Sequence, residues 1–269
     1  MSIAGGVSRA LERGASIGCD AIQIFLKNNM QWAAKPLTAG EVDRFKARTI
    51  PVFAHSCYLI NLATPDRRVR AKSVAAIVEE TERATRLGVP FIVMHPGAHL
   101  GAGEVTSLRA VAGGLDEAFR AARGSPVRIA LETTAGQGTY LGYRFEHLAE
   151  IFHRSHFPER LAVCVDTCHL FAAGYDIRTP KGYAATMQQL DSTIGRKCVV
   201  ALHLNDSKKP RGSRVDRHEH IGKGQIGVAG FRNVLHDPRW RDLPMVLETP
   251  KSDDMHEDVE NLRVLRRLM

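Results

Sequence analysis

No apolar run in these 269 residues approaches the ~20 needed to span a bilayer. Nothing near Met1 reads as a signal peptide, so a cytoplasmic protein with no membrane partner is expected. Cysteine is sparse and unpaired in spacing: Cys19, Cys57, Cys164, Cys168 and Cys198 are an odd number, which argues against a disulfide scaffold. Three of them lie in or beside apolar strand-like segments, the pattern of buried thiols in a reducing compartment. Cys164 and Cys168 bracket Asp166, where a structural thiol is the more frequent outcome than a ligand. Low-complexity tracts and long linkers are also missing, so residues 1–269 read as a single domain.

At 44% apolar and 25% charged, the chain has ample material for one soluble core. Its length is close to the roughly 250 residues of a (β/α)8 barrel. The formal charge of +8 is weak evidence for a nucleic-acid partner, and gains meaning only if the site chemistry also calls for a phosphate polymer.

The informative pattern is a repeated strand end. Six times, three apolar residues run straight into one His, Asp or Glu: 52–55 (VFAH), 92–95 (IVMH), 129–132 (IALE), 163–166 (VCVD), 200–203 (VALH) and 245–248 (MVLE). The closing residues are 40, 37, 34, 37 and 45 positions apart, the length of a strand, a helix and two loops. Buried parallel strands are short apolar runs, and the residue closing each faces the rim where ligands bind. Strands are expected at about 21–26, 51–55, 90–95, 127–132, 161–166, 198–204 and 244–248. Helices are expected at about 5–18, 41–48, 68–87, 105–122, 143–153, 181–195, 228–235 and 254–268, with Pro36 and Thr38 announcing the second. An α/β (β/α)8 TIM barrel follows, but with its first strand truncated or missing, since only Met1-Ser2-Ile3 precede the first helix. Either the chain starts downstream of the natural start, or the fold tolerates a truncated first strand.

Three further residues follow the strand ends in loops: His169 in the segment DTCH, and the pair Asp216-x-His218, whose alternate positions point the same way on extended chain. The candidate ligands are therefore His55, His95, Glu132, Asp166, His169, His203, Asp216, His218 and Glu248. One histidine closing a strand is more often structural than a ligand. A carboxylate buried under an apolar strand, however, costs several kcal/mol unless it is paired or bound to metal. Nine ligands suffice for two or three ions, and adjacent ions serve phosphoryl transfer, so phosphodiester or phosphomonoester hydrolysis is implied. His99, His147, His153, His156, His220, His236 and His256 are read as structural, with His220 the nearest to a ligand because it lies two residues past His218.

Seven ordered segments, 54–65 (AHSCYLINLATP), 94–103 (MHPGAHLGAG), 131–138 (LETTAGQG), 165–176 (VDTCHLFAAGYD), 203–208 (HLNDSK), 212–227 (GSRVDRHEHIGKGQIG) and 247–250 (LETP), together resemble the endonuclease IV family of apurinic/apyrimidinic endonucleases. The family belongs to the xylose isomerase-like TIM barrels, and the resemblance covers essentially the whole chain. It implies three metal ions, normally zinc, with Mn2+ an alternative at one site. By the same resemblance, Glu132 bridges two ions. One of them also binds Asp166, His203 and Glu248, the other His55 and His95. The third ion belongs to His169, Asp216 and His218. The activity implied is cleavage of double-stranded DNA on the 5′ side of an abasic site, leaving a 3′-hydroxyl, with trimming of blocked 3′ ends by a monomer. Glu132 and Glu248 are the expected catalytic residues, with Glu248 accepting a proton.

DNA contacts are expected from rim loops: the wedge Tyr58-Leu59, then Asn28 and Met30, and the basic residues Lys208, Arg214 and Arg217. Met30 stands where relatives often carry a basic residue, and Ser56 where Asp is common. The family's opening Gly-x-His-Val-Ser pattern is absent, which removes none of the nine ligands. Two other readings compete: a dinuclear sugar isomerase or epimerase of the same barrel superfamily, disfavoured by Asp216-x-His218 and the basic loop, and a truncated inactive paralogue.

Overall fold

A computed structural model describes residues 1–269, which divide into two compact units: Met1–Leu131 with Glu150–Ala162, and Glu132–Ala149 with Val163–Met269. In chain order the helices are α1 (Ser8–Ser16), α2 (Ala39–Lys46), α3 (Arg67–Leu87), α4 (Glu104–Ala121), α5 (Phe145–Arg154), α6 (Thr167–Ala173), α7 (Pro180–Thr193), α8 (Gly227–Leu235) and α9 (His256–Leu268). The strands are β1 (Ile22–Phe25), β2 (Val52–His55), β3 (Phe91–Met94), β4 (Arg128–Glu132), β5 (Leu161–Asp166), β6 (Val199–His203), β7 (Asp206–Ser207), β8 (His218–Glu219) and β9 (Met245–Val246). Seven of them, β1 to β6 and β9, fall in the segments where strands are expected, and residues 1–7 form none.

In the first unit β1, β2, β3 and β4 pair in that order, all parallel, with Phe25 opposite His55 and Met94 opposite Leu131. The strands are short, mostly apolar and largely buried, with Val93 and Leu131 fully enclosed and Phe53 stacked on Phe91 at 4.9 Å. Helix α3 shows how local sequence sets the boundaries. Asp66 caps its start, its carboxylate accepting from the Arg68 and Val69 N–H groups. Gly88 ends it in the left-handed region at φ 64°, where a side chain would be strained. Between them Ser73, Ala76, Ile77, Glu80, Thr81, Ala84 and Leu87 recur at helical spacing as its buried face, and α3 packs against α4. At α2 the capping box joins Thr38 and Glu41, as Thr38 announces.

In the second unit β5, β6 and β9 pair in parallel, with Asp166 opposite His203 and His203 opposite Val246. Two departures from the sequence reading bear on the site. The segment 167–173 is a helix, not a loop: Asp166 caps it by accepting from the His169 N–H at 2.7 Å, and Gly174 ends it in the left-handed region. Strand β9 stops at Val246, so Leu247 and Glu248 lie beyond the ladder. A hairpin that the sequence does not announce joins β7 and β8, with Ser207 opposite His218.

Candidate metal centre

Two sets made wholly of the expected ligands form inside the second unit. The first gathers Glu132, Asp166, His203 and Glu248, each closing or just following a parallel strand, with all four ligand atoms within 4.8 Å of one another. His203 Nδ1 lies 2.9 Å from Glu132 Oε1, 3.1 Å from Glu248 Oε2 and 3.9 Å from Asp166 Oδ2. Glu132, Asp166 and His203 are fully buried. Three carboxylates crowding one imidazole out of water are stable only around positive charge. Burial disfavours a charged His203, yet its neighbours Cys164, Glu248 and Glu132 outweigh that and hold its pKa well above the ordinary histidine value.

The second set is His169, Asp216 and His218. Asp216 Oδ2 lies 3.1 Å from His169 Nε2, and Asp216 Oδ1 lies 3.3 Å from His218 Nε2. The two Nε2 atoms are 3.5 Å apart. The far side of each ring explains this closeness. His169 Nδ1 meets the Thr133 carbonyl at 2.8 Å, and His218 Nδ1 meets the Glu248 carbonyl at 3.1 Å. A carbonyl can only accept, so each Nδ1 carries a proton, and each ring in its neutral form offers its Nε2 lone pair inward. Two such lone pairs and a carboxylate oxygen converging on one point fit a divalent ion with N/O ligands. Burial lowers the pKa of His169, but Asp166, Asp216 and Glu132 more than reverse this. The sets adjoin: His169 Nδ1 is 3.3 Å from Glu132 Oε1, and His218 Nε2 is 3.8 Å from Asp166 Oδ2.

Two residues that the sequence reading passes over hold these ligands in place. Asn205, fully buried, donates to Asp166 Oδ2 at 2.6 Å and accepts from the Glu248 N–H at 2.7 Å. It therefore fixes Glu248 where the β9 ladder has already ended. Thr133 accepts the Asp166 N–H on its hydroxyl at 3.0 Å and the His169 ring on its carbonyl. The signal for both is a small polar residue one or two places past a ligand-bearing strand end, in LETT and HLND.

The first unit brings His55 and His95 together, with ring centroids 5.4 Å apart and planes nearly perpendicular. His55, at the end of β2, is buried, and its Nδ1 meets the Ser56 carbonyl at 2.8 Å. That bond is made by the backbone, so it does not depend on which side chain stands at position 56. Tyr58 is 51% and Met30 61% exposed, standing on two loops joined by the Tyr58 N–H to the Asn29 carbonyl at 3.0 Å. Asn28 is exposed and Leu59 half-buried. Lys27 of the same segment is buried instead: it donates to the Trp32 carbonyl and to Glu79, and lies 3.4 Å from Glu80.

In the second unit Lys208, Arg214 and Arg217 are exposed, and Arg214 stacks over the Tyr143 ring at 3.9 Å from its loop position at φ 54°. His220 Nδ1 accepts from the Asn261 amide NH2 at 3.1 Å, outside both sets. All five cysteines are thiols. Burial pushes Cys168 up to about 12, so it sits beside Asp166 and His218 as a neutral group.

Residues 11–268 match a family model described as a xylose isomerase-like TIM barrel. The probable endonuclease 4 of Chloroflexus aurantiacus is 53% identical over all of this chain and 96% of its own length. That of Geobacter sulfurreducens is 50% identical, over all of this chain and 93% of its own. The crystal structure of endonuclease IV from Thermus thermophilus superposes with a TM-score of 0.87 at 38% identity, covering all of this chain and 96% of that one. A D-tagatose 3-epimerase-like protein, at 20% identity and a TM-score of 0.73, shares the fold.

Proposed function

Because the chain belongs to the endonuclease IV family of xylose isomerase-like TIM barrels, we propose that it is a DNA-repair hydrolase that cuts the phosphodiester bond 5′ to abasic sites. It leaves a 3′-hydroxyl and trims blocked 3′ ends. The reading extends to three zinc ions, with Mn2+ an alternative at one site, to a monomer, and to a cytoplasmic setting. The one membrane observation is that no helix is long and apolar enough to cross a bilayer. The observation that carries the reading is the trio His169, Asp216 and His218 beside the quartet Glu132, Asp166, His203 and Glu248. A dinuclear epimerase has no use for this extra set.

The family pattern assigns Glu132, Asp166, His203 and Glu248 to one ion, and His55 and His95 to another that Glu132 shares. The trio takes the third. Bound zinc supplies Lewis acidity, lowering the pKa of water and neutralising charge on phosphate oxygens. The side chains arrange everything else. Asn205 and Thr133 fix Asp166 and Glu248, and the Thr133 and Glu248 carbonyls set both trio rings in their ligating tautomer. Glu248, less deeply buried than Glu132, is placed to take a proton at its Oε2. Tyr58, Leu59, Asn28 and Met30 meet the duplex at the lesion. Extruding an abasic nucleotide is less costly than flipping a paired base because it has no base to unstack. Lys208, Arg214 and Arg217 hold phosphates.

The test is a duplex carrying one abasic analogue. Nicking on the 5′ side of the lesion, abolished by EDTA and by Glu132→Ala, is expected. Nicking that survives Glu132→Ala would remove Glu132 from its bridging role, and no nicking by the zinc-loaded chain would defeat the hydrolase reading.

A further inference from the structure

Asp206 is fully buried and belongs to neither ligand set. Its carboxylate accepts five backbone N–H groups. Oδ1 takes those of Ser207 at 2.8 Å and Ile226 at 2.9 Å; Oδ2 takes those of Gly222 and Gly224 at 3.0 Å and Gly227 at 3.2 Å. A charge withdrawn from water is compensated here by amide dipoles alone. The chain around it is built for this contact. A Cβ on Gly224 would lie 2.5 Å from both Asp206 Oδ1 and the Ser207 carbonyl, so only glycine lets that amide approach.

These bonds pin the segment 222–227, which follows closely on β8 and so on the stretch carrying Asp216 and His218. The hairpin that pairs β8 with β7 is two residues long on each side, with Ser207 opposite His218 and Asp206 opposite Glu219. The Lys208 N–H to Arg217 carbonyl bond at 2.9 Å extends it slightly, and the Gln225 N–H to Ser207 carbonyl bond at 2.8 Å ties the following segment to β7. So short a hairpin does not hold its own geometry. Three of the quartet need no such help, because Glu132, Asp166 and His203 close long-range parallel strands.

We propose that Asp206 is a positioning residue for the His169–Asp216–His218 ion, holding the loop so that Asp216 and His218 meet His169. The inference rests on the three-ion reading above and adds to it a residue outside the ligand set. In Asp206→Asn one carboxylate oxygen becomes an amide donor. In either rotamer at least two of the five N–H groups then face another donor.

The experiment compares zinc per chain, by elemental mass spectrometry after exhaustive dialysis, in wild type, Asp216→Ala and Asp206→Asn. Hydrogen exchange at residues 222–227 and thermal melts accompany it. Asp206→Asn should lose one ion, as Asp216→Ala does, keep the remainder, and exchange amides 222–227 at least tenfold faster. Gly224→Ala attacks the same contact from the opposite side and should reproduce that pattern. Retention of the wild-type zinc content by both Asp206→Asn and Gly224→Ala, while Asp216→Ala loses an ion, overturns the inference. So does loss of all metal together with the cooperative melt, which marks a merely structural carboxylate. Should Asp216→Ala itself lose no ion, the trio is not a metal site, and both the three-ion reading and this inference fall.

Discussion

Replacing Lys27 with methionine should unsettle the loops carrying Met30 and Tyr58 and make stability depend on pH. The Lys27 ammonium and Glu80 carboxylate are each 1% exposed and 3.4 Å apart, with Glu79 at 2.9 Å on the other side. Around them Lys27 holds the Trp32 carbonyl at 2.8 Å, Glu79 takes the Ala34 N–H at 3.3 Å, and Glu80 takes the Cys57 N–H at 3.2 Å. One buried charge network therefore ties both loops to α3. Glu80 Oε2 has no hydrogen-bond partner, and burial already raises the Glu80 pKa above 4.5, with Lys27 pulling the other way. Removing one member of a buried pair costs about 3–5 kcal/mol. In a chain of this size that lowers the melting midpoint by roughly 6–10 °C.

The sign with pH is set by proton binding. With its cation gone, Glu80 titrates higher in the fold than in the unfolded chain. Native protein then holds the extra proton between the two pKa values, and stability is lost as pH rises through the folded one. Lys27→Met should therefore be worse at pH 8 than at pH 5, by up to about 1.4 kcal/mol per pH unit across that window. The double change Lys27→Met/Glu80→Gln removes the stranded charge but keeps an acceptor for Cys57, so it should recover about 2 kcal/mol over additivity. Melts of the four chains at both pH values decide it. A single variant that melts with wild type, or a double variant whose losses simply add, would refute the reasoning.

Asn205→Ala should unseat Asp166 and Glu248 together, lowering kcat on the abasic duplex about 10- to 100-fold and weakening metal retention, both read on one preparation. Arg214→Ala should weaken duplex binding at every sequence, reduce the salt slope by about 1, and leave the zinc content unchanged, in fluorescence anisotropy across a salt series. Thiol labelling at pH 8 should modify only Cys19 and Cys198 in the native chain and all five after denaturation. Cys57 is pushed up to about 11 and Cys164 and Cys168 to about 12, and all three are buried.

Why some of this can be read from the chain and some cannot has physical causes. A parallel strand buried on both faces must be apolar along its length, so a lone polar residue at its end stands out, and His55, Glu132, Asp166 and His203 do so. His169 hides in a helix because one carboxylate serves two purposes: Asp166, read as a ligand, is also the cap that starts α6. The strand-end pattern marks Glu248 too, but β9 pairs for two residues only, and beyond it the Glu248 backbone is held by Asn205, a support that the pattern does not reveal. The loop of Asp216 and His218 has no periodicity at all. Its shape comes from the Asp206 carboxylate, up to 21 positions away in sequence from the amides it binds, a contact that becomes visible only once the chain is folded.

The most direct test of the account is a crystal grown with zinc and measured on both sides of the zinc absorption edge. Three anomalous peaks are predicted, at ~2.0–2.3 Å from the nitrogen and oxygen atoms of the assigned ligands. A peak pattern lacking any ion among His169, Asp216 and His218, or no bound zinc at all, would contradict it.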